Sequence, residues 1–382
     1  MEQMQFTAVV VLTLLTLKLL LLPAKVSGKA VVSRARWMMV IGIAVLDVQF
    51  LLQYMLGLRA MGVTQAVMLN LVMFVPASWI FSMGLLYLQR RGKISMVDRW
   101  VGGFSWAVVL SLLGIAAAID GEPLLSDTPE LRTAEIIASG VYLAMQGHYS
   151  FRHMANLRAM GQAMQDYYDS DMGGLLRWMR VSVIVLAVLS LMVPALIFVH
   201  SSIVLAPFSV IFFVGIYYVV DSFCSYVVSS APGKVMEAEE SETKSEEESA
   251  EESEKERKEQ GTDSAGQRHH MMVPHNMEAL VEQWIAAGNY RKMGMKMPVT
   301  AGEIGVMQYQ LSAWLRQQGK KYSEWMTELR IAEAQRVLLE HPEWSNEYVA
   351  KHCGFTDRSY FHKRFKEATG MTPSDWQVSH GH

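Results

Sequence analysis

The residue types that could do chemistry in this chain fall into two separate groups. Near the C-terminus, Arg358, Ser359, His362 and Lys363 follow a spacing that puts all four on one face of a helix. Such a face carries donors long enough to reach base edges, and Arg or Lys on guanine O6/N7 is the commonest specific contact. Arg364 and Lys366 beside it, and Arg316 further upstream, have the charge and reach to hold backbone phosphates. Read singly, each of these is equally an ordinary solvated helix charge. The second group lies inside apolar runs: Asp47 with Gln49 and Gln53, and Asp221 with Tyr217, Tyr218 and, further off, Asn70. Ionisable groups at that depth mark a ligand pocket or a proton-sensitive element, or serve as interhelical hydrogen-bond glue. No HExxH, GxSxG, P-loop or GxGD occurs. The sequence therefore calls for no catalytic residue, no cofactor and no metal ligand, and the expectation is a protein that is not an enzyme. The tract His269, His270, Met271, Met272 and His275 is read as linker rather than as a metal site.

The C-terminal elements that must position the first group are two similar units. Thr300–Met307 leads into Tyr309–Arg316, and Asn346–Phe355 leads into Ser359–Lys366. Each reads as a short helix, a tight turn and an amphipathic helix, which is helix-turn-helix geometry. Between them Tyr322–Leu339 has the periodicity of a long helix and would act as a strut. A further helical stripe, Met277–Ala287, ends at Gly288. Phe355, Phe361 and Phe365 would pack inward, with Gly354 allowing the second turn.

The first 230 residues are of a different kind. Apolar runs recur at Phe6–Leu22, Trp37–Leu56, Gln65–Leu88, Val101–Ile119, Leu131–Tyr149, Val181–Val199 and Ile203–Val228. Most reach the ~17–25 residues a helix needs to cross a bilayer, which predicts seven spans. The fifth is the most polar, interrupted by Glu135, Gln146 and His148. The first lacks a basic n-region and an A-x-A-like site, so it is read as a retained helix rather than a signal peptide. Loops on one side carry Lys25, Lys29, Arg34, Arg36, Arg90, Arg91, Lys93, Arg99, Arg152, Arg158, Arg177 and Arg180, against Arg59 and Arg132 on the other. The positive-inside rule then places the N-terminus outside and, with an odd number of spans, the C-terminus in the cytoplasm, the chain being a multi-pass membrane protein.

Between the halves, residues 237–263 hold 13 acidic and 4 basic residues and no aromatic one. Such a stretch cannot bury enough apolar surface to fold. About 44 residues of flexible coil give roughly 35 Å of reach. The bland reading is a solvated spacer; the sharper one is an acidic mimic of phosphate that occupies a basic face. Over all 382 residues the net charge is -3, 51% of residues are apolar and 19% charged, and mean hydropathy is +0.16. These values exclude a wholly soluble globule and a wholly disordered chain. The two cysteines, Cys224 and Cys353, read as reduced packing residues.

The run Arg330–Leu339, followed by Val349-Ala350, Gly354-Phe355, Ser359–Phe361, Arg364–Lys366, Gly370 and Thr372–Ser374, resembles the AraC-type (AraC/XylS-like) DNA-binding domain over roughly residues 277–378. The resemblance implies two recognition helices in successive major-groove segments of double-stranded DNA, with RNA polymerase as the downstream partner. By family position it adds Tyr309, Ser312 and Ala313 as base-facing residues of the first unit. Gly305 stands where alanine is usual, which predicts a looser first unit. Ala313 is short, and Trp376 and Gln377 replace the usual Tyr and Arg. Residues 296–376 carry a net charge of only +1, so nonspecific attraction to DNA should be modest.

The expected fold is all-α: a seven-helix transmembrane bundle (1–230), a disordered acidic linker (231–275) and a C-terminal helical domain with two helix-turn-helix units (276–382). The expected function is a membrane-integrated, sequence-specific transcription regulator. In it a bilayer-embedded half senses an unknown signal ligand through packing or homodimerisation, or simply anchors. The alternatives are release of the DNA-binding domain by proteolysis, and a transporter-like membrane half fused to a regulator.

Overall fold

The structure is a computed structural model that describes residues 2–22, 30–57, 63–120, 126–169, 173–197, 202–228, five positions between 241 and 251, and 273–381. Its described elements are helical. The chain divides into two compact units, Met1–Arg158 with Leu176–Pro232, and Ala159–Leu175 with Gly233–His382. Most of the acidic linker, including His269, His270, Met271 and Met272 of the tract read as linker, lies outside the described residues.

The first unit is built from α1 (Glu2–Leu20), α2 (Ala30–Met55), α3 (Val63–Gln89), α4 (Met96–Asp120), most of α5 (Pro129–Tyr167), α6 (Gly173–Ile197) and α7 (Ser202–Val228). Helix α2 packs between α1 and α3, α3 packs on α4, and α1 meets α7. Val75, Met83 and Leu86 of α3, Val109 and Leu113 of α4, and Ala138, Tyr142 and Tyr149 of α5 share one core. The opposite faces expose Ile41, Phe104, Ile115, Leu191 and Val214. Apolar residues inside and outside alike suit a solvent as apolar as the core.

Six helices among the described residues are long and apolar enough to cross a membrane, rather than the expected seven. The exception is the fifth run. It folds as part of α5, which continues to Tyr167 and carries Glu130, Arg132, Glu135, His148, Arg152, His153 and Arg158. These lower its average hydropathy. Several of them face inward, since Glu135 and His153 are buried while Ile136, Ile137 and Phe151 are exposed.

In the second unit, α8 (Met277–Ala286) and a 3₁₀ turn (Asn289–Arg291) precede two helix pairs. The first pair is α9 (Met297–Ile304) and α10 (Gln308–Gln317); the second is α12 (Asn346–His352) and α13 (Arg358–Thr369), followed by α14 (Pro373–His380). Helix α11 (Tyr322–Glu340) joins them as expected. Its first half gives Tyr322, Trp325 and Met326 to a core with Trp284, Met297, Ile304, Leu311 and Leu315. Its second half gives Ile331, Ala334, Val337 and Leu338 to a core with Val349, Phe355, Phe361 and Phe365. The helix starts are set by sequence: Ser345 Oγ accepts from Tyr348 N–H, Asp357 from Tyr360 N–H and Thr372 from Asp375 N–H. Pro298 and Pro373 sit in first turns, where no amide donor is needed.

Gly305 corrects the expectation of a loosened first unit. It is the left-handed C-cap of α9 at φ 86°, a conformation in which alanine would be strained. Gly354 plays the same part in the second pair at φ +88°, and there space is also closed: a Cβ would lie 2.6 Å from the Arg291 carbonyl oxygen. Gly354→Ala should therefore destabilise the second unit by roughly 2–5 kcal/mol, combining left-handed strain with a backbone clash. Gly319→Ala, at φ +67° with nothing within 4 Å, should cost only about 1–2 kcal/mol. Thermal unfolding of the two variants checks the difference.

Candidate nucleic-acid interface

In the second helix pair, Asp357 caps the N-terminus of α13, and its carboxylate accepts from Tyr360 N–H at 2.8 Å. Phe361 and Phe365 are fully buried beneath the helix. That leaves Arg358, Ser359 and Lys363 on the exposed face, with His362 half-buried between them. The four predicted residues are therefore brought to one face. Burial, and then the charge of Arg358, lower the pKa of His362, which favours the neutral ring at pH 7. Arg364 is committed elsewhere: its Nε donates to Tyr360 Oη at 3.2 Å and its NH1 to Glu367 at 3.0 Å. Lys366 is exposed in the last turn. Trp376 packs on Phe365 with ring centres 6.1 Å apart. Gln377 Nε2 donates to the carbonyls of Leu338 and Pro342 at 3.2 and 2.9 Å, tying α14 to the strut.

The first pair departs from the expected arrangement. Ser312 and Ala313 are half-buried and Arg316 is exposed, but Tyr309 is only 3% exposed. Its hydroxyl is buried and has no hydrogen-bond partner among the described residues. Tyr309 thus packs within the fold rather than on the exposed face. Helical spacing gives no signal for this, because position 309 lies two residues before Leu311, about 200° round α10, on the side of Ser312 and Ala313.

Sequence reasoning gave no role to Arg330, which is 2% exposed at the middle of α11. Its Nε donates to the Tyr290 carbonyl at 2.8 Å, and one terminal nitrogen donates to the Lys292 carbonyl at 2.7 Å and to Asp169 Oδ2 at 2.6 Å. Its guanidinium lies 5.9 Å from the Phe355 ring centre. Asp169 is as deeply buried as Arg330 and belongs to the same compact unit.

The polar residues of the first unit are not one constellation. Gln49 and Gln53 both donate to Asn70 Oδ1, at 2.5 and 2.6 Å, and all three are buried. Asp47 instead accepts from Thr13 at 2.8 Å. Asp221 pairs with Lys18, a residue not singled out in the sequence. A further ionic centre, also missed, is Asp98. It accepts two bonds from Arg152 at 3.0 Å each, lies 3.1 Å from His148, and binds Ser95 at 2.7 Å. Tyr142, Gln146, Ser78, Ser82 and Ser190 line one side of a cavity of about 50 Å³. That is room for a few water-sized groups.

A family model described as "Helix-turn-helix domain" matches residues 300–378. Residues 300–378 are an AraC/XylS-like helix-turn-helix domain. The AraC/XylS-like domain is similar to the "HTH-type transcriptional activator RhaR" of Enterobacter sp. (strain 638), 41% identical over 61 residues. It is also similar to the proteins of that name from Salmonella arizonae and Salmonella newport, each 38% identical over 61 residues. These matches cover 16% of this chain and 21% of each relative, so the chain spans about a fifth of the length of the curated relatives it matches. No solved structure matches the chain. The AraC/XylS-like domain is joined in this chain to helices of membrane-spanning length.

Burial separates two kinds of residue on α10. Tyr309→Ala should destabilise the fold by about 3–5 kcal/mol, as loss of a buried aromatic does, whereas Tyr309→Phe should be neutral or stabilising because the hydroxyl has no partner. Ser312→Ala should stay within about 0.5 kcal/mol. Chemical denaturation of the three variants measures this.

Proposed function

We propose that the protein is a membrane-integrated, sequence-specific DNA-binding transcription regulator without enzymatic activity. The observation that carries the reading is the capped helix α13, which presents Arg358, Ser359, His362 and Lys363 on one face of an AraC/XylS-like domain. Arg358 and Lys363 are the residues assigned to base edges, and Lys366 and Arg316 those assigned to phosphates. Ser312 and Ala313 are the base-facing pair of a second, weaker reading helix, α10, so the two helix pairs would read successive major-groove segments. Arg364, held by Tyr360 and Glu367, positions the helix. The relatives are named as activators, which supports activation with RNA polymerase as partner.

The domain must meet DNA in the cytoplasm, and the Lys and Arg residues around the ends of α1, α3 and α5 support that side. With the N-terminus outside, this sidedness requires α5 to cross along with the six apolar spans. The inward burial of Glu135 and His153 and the outward Ile136, Ile137 and Phe151 support such a crossing. The membrane half then acts as sensor or anchor. Its internal polar contacts, Asn70 with Gln49 and Gln53, Asp47 with Thr13 and Asp221 with Lys18, are where a signal ligand or a homodimer would change helix packing.

Two measurements test this. Genomic DNA selected by the full chain in lipid nanodiscs should yield one asymmetric motif. Arg358→Ala with Lys363→Ala should lose about 10²–10³ in affinity and relax base preference. Lys366→Ala should weaken all sequences alike and reduce the salt slope by about 0.9. No enriched motif at any salt concentration rules the reading out. Sidedness is checked with a membrane-impermeant thiol reagent on Asp127→Cys and Ser379→Cys in intact spheroplasts: labelling should occur at 127 and not at 379.

A further inference from the structure

The second unit contains a short acidic segment whose contacts exceed what a connector needs. Residues 165–169 lie at and just beyond the end of α5 and belong to the same compact unit as the DNA-binding domain. Asp169 N–H donates to the Met295 carbonyl at 3.1 Å, and Met295 N–H donates back to Asp169 Oδ2 at 2.8 Å. Tyr168 and Lys296 face each other in an antiparallel bridge. The Lys296 ammonium lies 5.8 and 5.9 Å from the ring centres of Tyr167 and Tyr168. The same Asp169 oxygen takes the buried guanidinium of Arg330.

One turn earlier the segment reaches the junction between α10 and α11. Lys321 Nζ donates to Gln165 Oε1 at 2.6 Å. Burial raises the pKa of Asp166, and the charges of Lys321 and Arg316, on either side of the end of α10, act against that rise while Glu324 adds to it. At the other end of α10, Gln308 accepts from Ser241 Oγ at 2.8 Å, and Ser241 lies inside the acidic linker. Gln165 and Ser241 thus make contacts just past the end and at the start of the reading helix of the first pair. Phosphates of a bound duplex would need the same cations, and Asp166 would repel them.

We propose that residues 165–169 are an internal clamp that competes with DNA for the first helix pair, anchored by Asp169 on Arg330 and Met295. While docked, the clamp engages Lys321 and sets a carboxylate against Arg316, so the domain reads DNA chiefly through α13. Undocking frees both cations and recruits α10. The clamp follows directly from α5, so a change in that helix is what would set or release it. The inference rests on the reading of residues 300–378 as a DNA reader and goes beyond it.

Paired residues of an antiparallel bridge have Cα atoms ~4.5–5.5 Å apart, within disulfide range. The test uses the full chain in nanodiscs with Tyr168→Cys and Lys296→Cys, and the DNA motif selected as above. The buried thiols Cys224 and Cys353 stay in place. Oxidation should form the 168–296 disulfide and weaken DNA binding about tenfold, with full recovery on reduction. Separately, Asp166→Asn, which leaves the buried Asp169–Arg330 pair in place, should tighten binding several-fold and steepen the salt slope by about 1 as Arg316 reaches phosphate. Equal affinity of the oxidised and reduced forms overturns the clamp and leaves the regulator reading intact. Failure of the disulfide to form shows that the docking does not occur and overturns it as well. DNA binding by neither form sinks the regulator reading, and the clamp falls with it.

Discussion

A charge buried without water must be matched by partners fixed in space, and in the second unit that demand is made by Arg330. Its guanidinium sits in the middle of the strut helix and takes the carbonyls of Tyr290 and Lys292 and the carboxylate of Asp169. These partners come from two stretches of chain, the loop after α8 and residues 165–169. The loop after α8 is held in place because two of its carbonyls have a buried donor to satisfy, and residues 165–169 are held because a buried cation has a buried anion. The turn of the second helix pair is drawn in as well, since Gly354 passes so close to Arg291 and Arg330 that only a residue without a Cβ fits. Removing one member of such a set leaves the others buried and unmatched, which costs more than the pair contributed.

Much of the C-terminal architecture was legible because local rules and packing agree there. The periodicity of Tyr322–Leu339 gave the strut, the phenylalanines at 355, 361 and 365 gave the inner face of α13, and the residues left over gave its outer face. What could not be read were interactions between distant segments. Asp169 and Arg330 are 161 positions apart, and nothing in a one-dimensional pattern pairs them. Tyr309 was placed outward by analogy with related domains, and its helical spacing, shared with Ser312 and Ala313, agrees with that, yet in the first turn of α10 its side chain is buried. Gly305 was taken as a departure, although a glycine is what the end of α9 requires.

The membrane half shows the same division. Its helices follow from runs of apolar residues, but hydropathy averages along the chain and ignores direction. Helix α5 looks too polar because its ionisable groups are counted equally whether they face neighbours or lipid. Asp98, with Arg152, His148 and Ser95 around it, fastens α4 to α5 through a buried ionic centre. The residues that had stood out in the sequence, Asp47 and Asp221, each found a single partner on α1. Helix α1 is therefore tied to α2 and α7 by side chains as well as by packing.

The strut α11 lends one half of its length to each of two cores, and this bears on how the domain can come apart. Unwinding α11 would therefore disturb both cores at once, although they share no other helix. A cut in the loop between α10 and α11 would take from the first core the helix face that closes it, whereas every buried member of the second core lies beyond that cut. The two helix pairs thus lean on one support without being sealed by the same residues.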